Sequence, residues 1–130
     1  MTVTVCVIAY NEEKTLPRLL EDIKRQDYPV GKTEILLIDS GSEDATMRVM
    51  RRFADENPQY LRVTVAENRK RTLAAGWNVA LKLFQEDVIL RIDAHARIPA
   101  DFLRKNMECL EGGEDVSGGP RPNLPEKDTP

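Results

Sequence analysis

The stretch Val3-Thr4-Val5-Cys6-Val7-Ile8-Ala9-Tyr10-Asn11-Glu12-Glu13 decides the fold. Its first seven residues are almost all apolar or β-branched with no polar alternation, so a strand there must be covered on both faces, as in a parallel sheet. The last four turn polar at once. Beyond them Thr15 can N-cap, and Leu16, Leu19, Leu20 and Ile23 follow at helical spacing, with Pro17 tolerated in the first turn. The spacing predicts a helix ending near Gln26.

The same alternation continues outward from that stretch. Asp27-Tyr28-Pro29-Val30-Gly31 punctuates the chain as a turn, and Glu34 to Ile38 reads as a second buried strand. Asp39-Ser40-Gly41-Ser42-Glu43-Asp44 offers caps and acidic residues for a helix whose buried stripe is Ala45, Val49 and Phe53, stopped by Asn57-Pro58. Leu61 to Ala66 alternates as a third strand, and Glu67 to Arg71 is a charged turn. Leu73, Trp77, Leu81 and Phe84 predict an amphipathic helix in which Trp77 is core, and Val88 to Ile92 is a fourth strand. After Arg97-Ile98-Pro99, residues Phe102, Leu103, Met107 and Leu110 mark a short helix from about Asp101, closed by Gly112-Gly113. Val116 to Gly119 suits a short fifth strand. Regular βαβα order argues for an α/β fold, a mostly parallel sheet with helices on both faces and right-handed crossovers. Residues 1–120 are expected to form this domain, and the Pro-rich residues 121–130 a loop or disordered tail.

A chain of 130 residues is long enough for one core and too short for two full domains. Net charge is -3 and acidic and basic residues are interspersed, so there is no electrostatic footprint for a nucleic-acid backbone. Two cysteines, Cys6 in an apolar run and Cys109 in a helical one, suit buried free thiols and a reducing compartment. No stretch has the pattern of a signal peptide or a membrane-spanning helix, and the expectation is a cytoplasmic location.

In open α/β sheets ligands bind beyond the carboxyl ends of the strands, near the point where strand order reverses. The polar residues there are Tyr10, Asn11 and Glu12 after the first strand, Asp39 and Ser40 after the second, Arg69, Lys70 and Arg71 after the third, and Asp93 and His95 after the fourth. An aromatic ring can stack and carboxylates can accept from a base or ribose. A basic cluster suits phosphate, and if the backbone stays extended at 93–95, Asp93 and His95 leave on one side as a metal-binding pair. Those are the parts a nucleoside diphosphate needs, with a cation to neutralise the departing diphosphate. No G-x-G-x-x-G follows the first strand and no G-x-x-x-x-G-K-[ST] occurs, so dinucleotide and P-loop chemistry lack support.

With these pieces in order, the chain resembles the N-terminal, nucleotide-sugar-binding half of a family 2 glycosyltransferase of the GT-A fold, of the succinoglycan type. The matching motifs are Ala9-Tyr10-Asn11-Glu12-Glu13, Ile38-Asp39-Ser40-Gly41-Ser42-Glu43-Asp44-Ala45-Thr46, Ala74 to Asn78, and Asp93-Ala94-His95. The resemblance implies that Ala9, Tyr10 and Glu12 flank base and ribose and that Asp39 hydrogen-bonds the base; from the basic cluster Arg69-Lys70-Arg71, Arg71 is the candidate to touch the donor. It places Asp93 and His95 at the family's D-x-D position, Asp93 on ribose or metal-bound water and His95 on the metal. Histidine there departs from the commonest pattern and favours manganese over magnesium as the divalent ion.

The implied reaction is inverting transfer of a sugar from a nucleoside diphosphate sugar, a UDP-sugar favoured, to a hydroxyl acceptor in polysaccharide synthesis. A lipid-linked saccharide is one candidate acceptor, which would associate the complete protein with the cytoplasmic face of a membrane. The family's catalytic base is expected downstream of Pro130, so no catalytic residue is assigned within the chain and the chain alone is expected to bind a donor without transferring sugar. The competing class is a non-catalytic transferase-like or signalling α/β module. A receiver, however, would carry its reactive Asp after the third strand, whereas Asp39 follows the second. A sugar nucleotidyltransferase would need a Gly-rich basic loop after the first strand, and Tyr10-Asn11-Glu12 stands there instead.

Overall fold

The computed structural model describes residues 1–111. They form β1 (Val3–Ala9), α1 (Leu16–Lys24), a 3-10 turn (Val30–Lys32), β2 (Thr33–Asp39), α2 (Thr46–Glu56), β3 (Arg62–Glu67), α3 (Leu73–Leu83), β4 (Val88–Asp93) and α4 (Phe102–Glu111). The proposed closure at Gly112-Gly113, the fifth strand at Val116 to Gly119 and the tail at 121–130 lie outside the described residues.

All four strands are parallel, in the order β3-β2-β1-β4. Strand order therefore reverses at β1, and the carboxyl ends of β1 and β4 flank the switch point. The register places Ala9, Asp39 and Glu67 in one row and sets Asp93 beside Ile8, so the three loops after β1, β2 and β4 leave from one edge.

Helices cover both faces. Odd-numbered residues of β1 and β2 (Val3, Val5, Val7, Ile35, Leu37) pack with Leu16, Leu19 and Ile23 of α1, Met50 and Phe53 of α2, and Leu103 and Met107 of α4. On the other face Cys6, Leu36, Ile38 and Ile89 meet α3 at Ala80, with Trp77 and Val79 packed alongside. Each fully buried Leu, Ile or Met contributes about 1.5–3 kcal/mol relative to its exposed state. Gly76 lets α3 approach closely, because a Cβ there would stand 3.0 Å from Ile8 Cγ2 and from Asn68 Nδ2.

Several expectations need correction. The first helix stops at Lys24, and the amides of Arg25 and Gln26 turn back to Asp22 and Ile23 in a tighter last turn. Thr15 holds the N-cap position, but its backbone is helical and its hydroxyl donates to Glu12 Oε1 at 2.8 Å. The buried stripe of α2 is Thr46, Met50 and Phe53; Phe53 agrees with the expected stripe and Val49 packs partly buried against the same core, while Ala45 stands at the N-cap position and Thr46 and Met50 take the fully buried places. In α3 the buried line is Gly76 and Ala80, and Leu73 is 53% exposed. That helix is apolar on most sides, so spacing alone did not set its rotation. Strand β3 starts at Arg62, which leaves Leu61 exposed, and as an edge strand β3 is only partly buried.

Candidate functional site

Asp39 ends β2 and is 4% exposed. Its Oδ2 accepts from the amides of Gly41 (3.2 Å) and Ser42 (3.1 Å), so the carboxylate shapes its own loop. Gly41 adopts φ +85, a left-handed conformation that glycine takes without strain. Asp39 Oδ1 is buried and has no hydrogen-bond partner among the described residues. A buried unpaired carboxylate oxygen costs free energy, and Oδ1 has room to accept one further hydrogen bond. Asp39 faces a cleft of about 470 Å³ shared with Gly41, Ser42, Met47, Asn68 and Arg71.

Arg71 has φ 66 and lies with its guanidinium over Gly41, so close that a Cβ on the glycine would meet Nε at 2.6 Å. Asn68 holds it there. The Asn68 amide donates to Asp39 O (2.8 Å), Nδ2 donates to Ser40 Oγ (3.1 Å) and Thr72 O (2.8 Å), and Arg71 N donates to Asn68 O (3.2 Å). Thr72 then caps α3 by accepting from Ala75 N at 3.1 Å. Sequence reasoning passed over Asn68 as part of a charged turn. Its one signal was a neutral amide between a strand end and a basic cluster.

The loop after β1 is laced to the loop after β2. Amides of Asn11, Glu12 and Glu13 donate to Ser42 Oγ (2.8 Å), Thr46 Oγ1 (2.8 Å) and Asp44 Oδ2 (3.2 Å). In return the amides of Glu43 and Ala45 donate to Asn11 Oδ1 and Glu13 Oε1, both at 2.8 Å. Asn11 reaches this geometry at φ 53, which Asn tolerates better than most residues. Burial raises the Asp44 carboxyl, but hydrogen bonds from the Thr46 hydroxyl and from backbone amides outweigh it and hold the group below the usual carboxylate range. Tyr10, 47% exposed, thus stands on a braced turn beside the switch point, while Ala9 is buried at the strand end.

At β4 the strand ends at Asp93, and Ala94 and His95 lie in a turn closed by Ala96 N donating to Asp93 O at 3.0 Å. The backbone is not extended through His95, so the same-side argument for the Asp/His pair does not hold. Both side chains are nevertheless exposed at the site edge. His95 Nδ1 lies 3.5 Å from Glu12 Oε2, which links the loops after β1 and β4. Three pieces are therefore assembled: Asp39 with Arg71 along one cleft, Glu12 with His95, and Tyr10 exposed two residues before Glu12 on the same loop. Asp93 joins by strand register, with no side-chain hydrogen bond among the described residues. Nor do three or more His, Cys, Asp or Glu side chains gather into a metal-holding group among the described residues.

Comparison with known proteins gives one family. Residues 4–129 match the family described as Glycosyl transferase family 2. A curated relative from Methanococcus voltae, a dolichyl N-acetyl-alpha-D-glucosaminyl phosphate 3-beta-D-2,3-diacetamido-2,3-dideoxy-beta-D-glucuronosyltransferase, is 30% identical over 84% of this chain and 34% of its own length. The solved mannosyltransferase PcManGT of Pyrobaculum calidifontis, in complex with GDP-Man and Mn2+, is 37% identical over 75% of this chain and 28% of its own, with a TM-score of 0.69. Staphylococcus aureus TarS 1-349 in complex with UDP superposes at TM-score 0.74 and 24% identity, over 95% of this chain and 38% of that one, a likeness of fold. The chain spans about a third of the length of the curated relative.

Proposed function

The chain belongs to glycosyl transferase family 2, and we propose that its described residues form the donor-binding part of an inverting transferase that takes its sugar from a uridine diphosphate sugar. The observation that carries this reading is the state of Asp39. Two loop amides occupy Oδ2, which leaves Oδ1 as a single acceptor. One acceptor suits the lone imide N–H of uracil, whereas guanine offers adjacent ring and exocyclic N–H donors that a free carboxylate would take in pairs. Tyr10 supplies a face for the base or ribose, Ala9 and Glu12 flank it, and Arg71 over Gly41 supplies charge for phosphate.

Asp93 and His95 fit a divalent ion as a partial donor set, a carboxylate and an imidazole, both exposed at the strand end. Phosphate oxygens and water would complete the coordination, as is usual where a cation bridges protein and nucleotide. When bound, the ion would neutralise charge on the diphosphate leaving group. The imidazole favours manganese over magnesium, and the manganese bound by the Pyrobaculum relative supports that choice. The acceptor is a hydroxyl, on a lipid-linked saccharide by analogy with the dolichyl phosphate acceptor in the name of the Methanococcus relative, and the product a polysaccharide or glycan precursor. That would put the whole protein at a membrane surface, although no helix among the described residues is long and apolar enough to cross one. None of the described residues is assigned the role of catalytic base.

Calorimetry with UDP and GDP tests the reading. UDP should bind more tightly than GDP, manganese should strengthen UDP binding and chelator reverse it. Asp39→Asn should weaken UDP at least tenfold, since its amide turns a donor toward the imide N–H, about 1.5–3 kcal/mol for a hydrogen bond to a charged group. Equal affinity of parent and Asp39→Asn for UDP would remove the base-binding role.

A further inference from the structure

Asp22 is the one carboxylate inside the apolar stripe of α1, 5% exposed between Leu19, Leu20 and Ile23. Arg97 grips it in a fork, Nε to Oδ2 at 2.7 Å and Nη2 to Oδ1 at 3.0 Å, and the Ile98 amide donates to Oδ2 at 3.1 Å. The next residues follow suit. Gln26 Nε2 donates to Pro99 O (2.7 Å), Asp27 N to Ala100 O (2.9 Å), and Leu103 N to Gln26 Oε1 (2.9 Å). The end of α1 therefore holds the segment that leaves β4.

Stability alone does not explain an acid at position 22. A leucine there would extend the apolar stripe and leave Arg97, whose side chain is 54% exposed, in contact with water, so filling the core does not require the pair. What the pair adds is position. Asp93 is fixed from one side by pairing with β1 opposite Ile8, and Arg97 and Ile98 are fixed from the other by Asp22. Only residues 94–96 lie between the clamps, and Ala94 is itself buried at 2%. His95 thus sits at the crest of a turn with both feet held, as a ligand-placing loop requires.

We propose that Asp22 is a positioning residue for the Asp93–His95 turn, acting through Arg97 and Ile98 to set the diphosphate end of the donor site while leaving the base end untouched. This rests on the donor-binding reading above. The base end is independent because Asp39 is held by Gly41, Ser42 and Asn68, none of which touches Asp22.

UDP affinity with and without manganese, measured for the parent and Asp22→Asn, tests the inference. The parent should show a manganese-dependent gain. In Asp22→Asn that gain should fall by about tenfold, while UDP affinity in chelator stays within twofold of the parent. Arg97→Lys, which keeps a cation and loses the fork, should fall between the two and serves if the asparagine variant does not fold. An unchanged manganese gain in both variants, or equal losses with and without manganese, overturns the positioning role. A parent that binds UDP with no manganese gain overturns instead the metal role of Asp93 and His95 on which the inference rests, and a parent that binds no UDP overturns the donor reading itself.

Discussion

Strand β2 carries two buried carboxylates five positions apart, Glu34 at 2% and Asp39 at 4% exposure, and they are treated in opposite ways. Glu34, near the amino end, is saturated. Thr4 Oγ1 donates to its Oε1 at 2.6 Å, Arg62 Nε donates to Oε2 at 2.9 Å, and Arg62 Nη2 continues to Glu86 at 2.5 Å. The register sets Thr4, Glu34 and Arg62 side by side, so the network crosses three strands on one face. Asp39, at the carboxyl end and on the other face, keeps one oxygen unpartnered among the described residues. A filled acid holds the sheet together, and an acid left half filled is available to a ligand. The same contrast separates Asp22, satisfied and internal, from Asp93, exposed at the edge.

The largest effect that would break this comparison is expected at the filled end. Arg62→Ala would leave Glu34 buried with only the Thr4 hydroxyl, and should destabilise the fold by about 1–3 kcal/mol, the cost of leaving a buried acceptor short of its partner. UDP affinity should stay within twofold, since the network lies at the opposite end of the strand. Chemical denaturation together with calorimetry checks both, and a loss of binding without loss of stability would erase the division of labour. Asp39→Asn is its mirror image, weaker binding with a smaller change in stability.

A smaller effect is expected at Gly41. Alanine there must hold φ +85, which costs about 1–2 kcal/mol for a residue with a Cβ, and that Cβ would displace the Arg71 side chain from 2.6 Å. Displacement alone is cheap, because a guanidinium on a flexible stem can move. Gly41→Ala should therefore lower the denaturation midpoint modestly and, on the proposed role of Arg71 toward phosphate, weaken UDP more than uridine. Equal weakening of both ligands would mean that the glycine serves the base and not the arginine.

Much of the fold was legible because its physics is local. Predominantly apolar, β-branched runs at 3–9, 34–38 and 88–92, broken only by Thr4, Glu34 and Arg91, read as strands covered on both sides, and in a parallel sheet the loops after them meet at one edge. The rest depended on partners distant in sequence. Nothing near Asn68 says that its amide will bind Asp39 O, and nothing near Asp22 says that a residue 75 positions away will pair with it. His95 shows the same limit at short range. Spacing two after Asp93 implies a shared side only in a strand, and whether the strand continues is settled by where pairing with β1 ends, at Ile8.

The smallest effect concerns acid. Arg97's hydrogen bonds, opposed by burial and helped by the Ile98 amide, hold the Asp22 carboxyl below its ordinary value. A carboxyl whose folded pKa lies below its unfolded one binds its proton more readily when unfolded. Its stabilising contribution is therefore complete above the unfolded value, about 3.9, and is lost as pH falls through the depressed folded value. Denaturation midpoints should show no contribution from Asp22 to any change between pH 7 and 5, and a falling one below about pH 4. Asp22→Asn should be less stable at neutral pH and should flatten that acid limb, because the titrating group is gone. A parent and variant that lose stability in parallel below pH 4 would place the linked proton elsewhere, with Asp44, depressed by Thr46, the next group to replace.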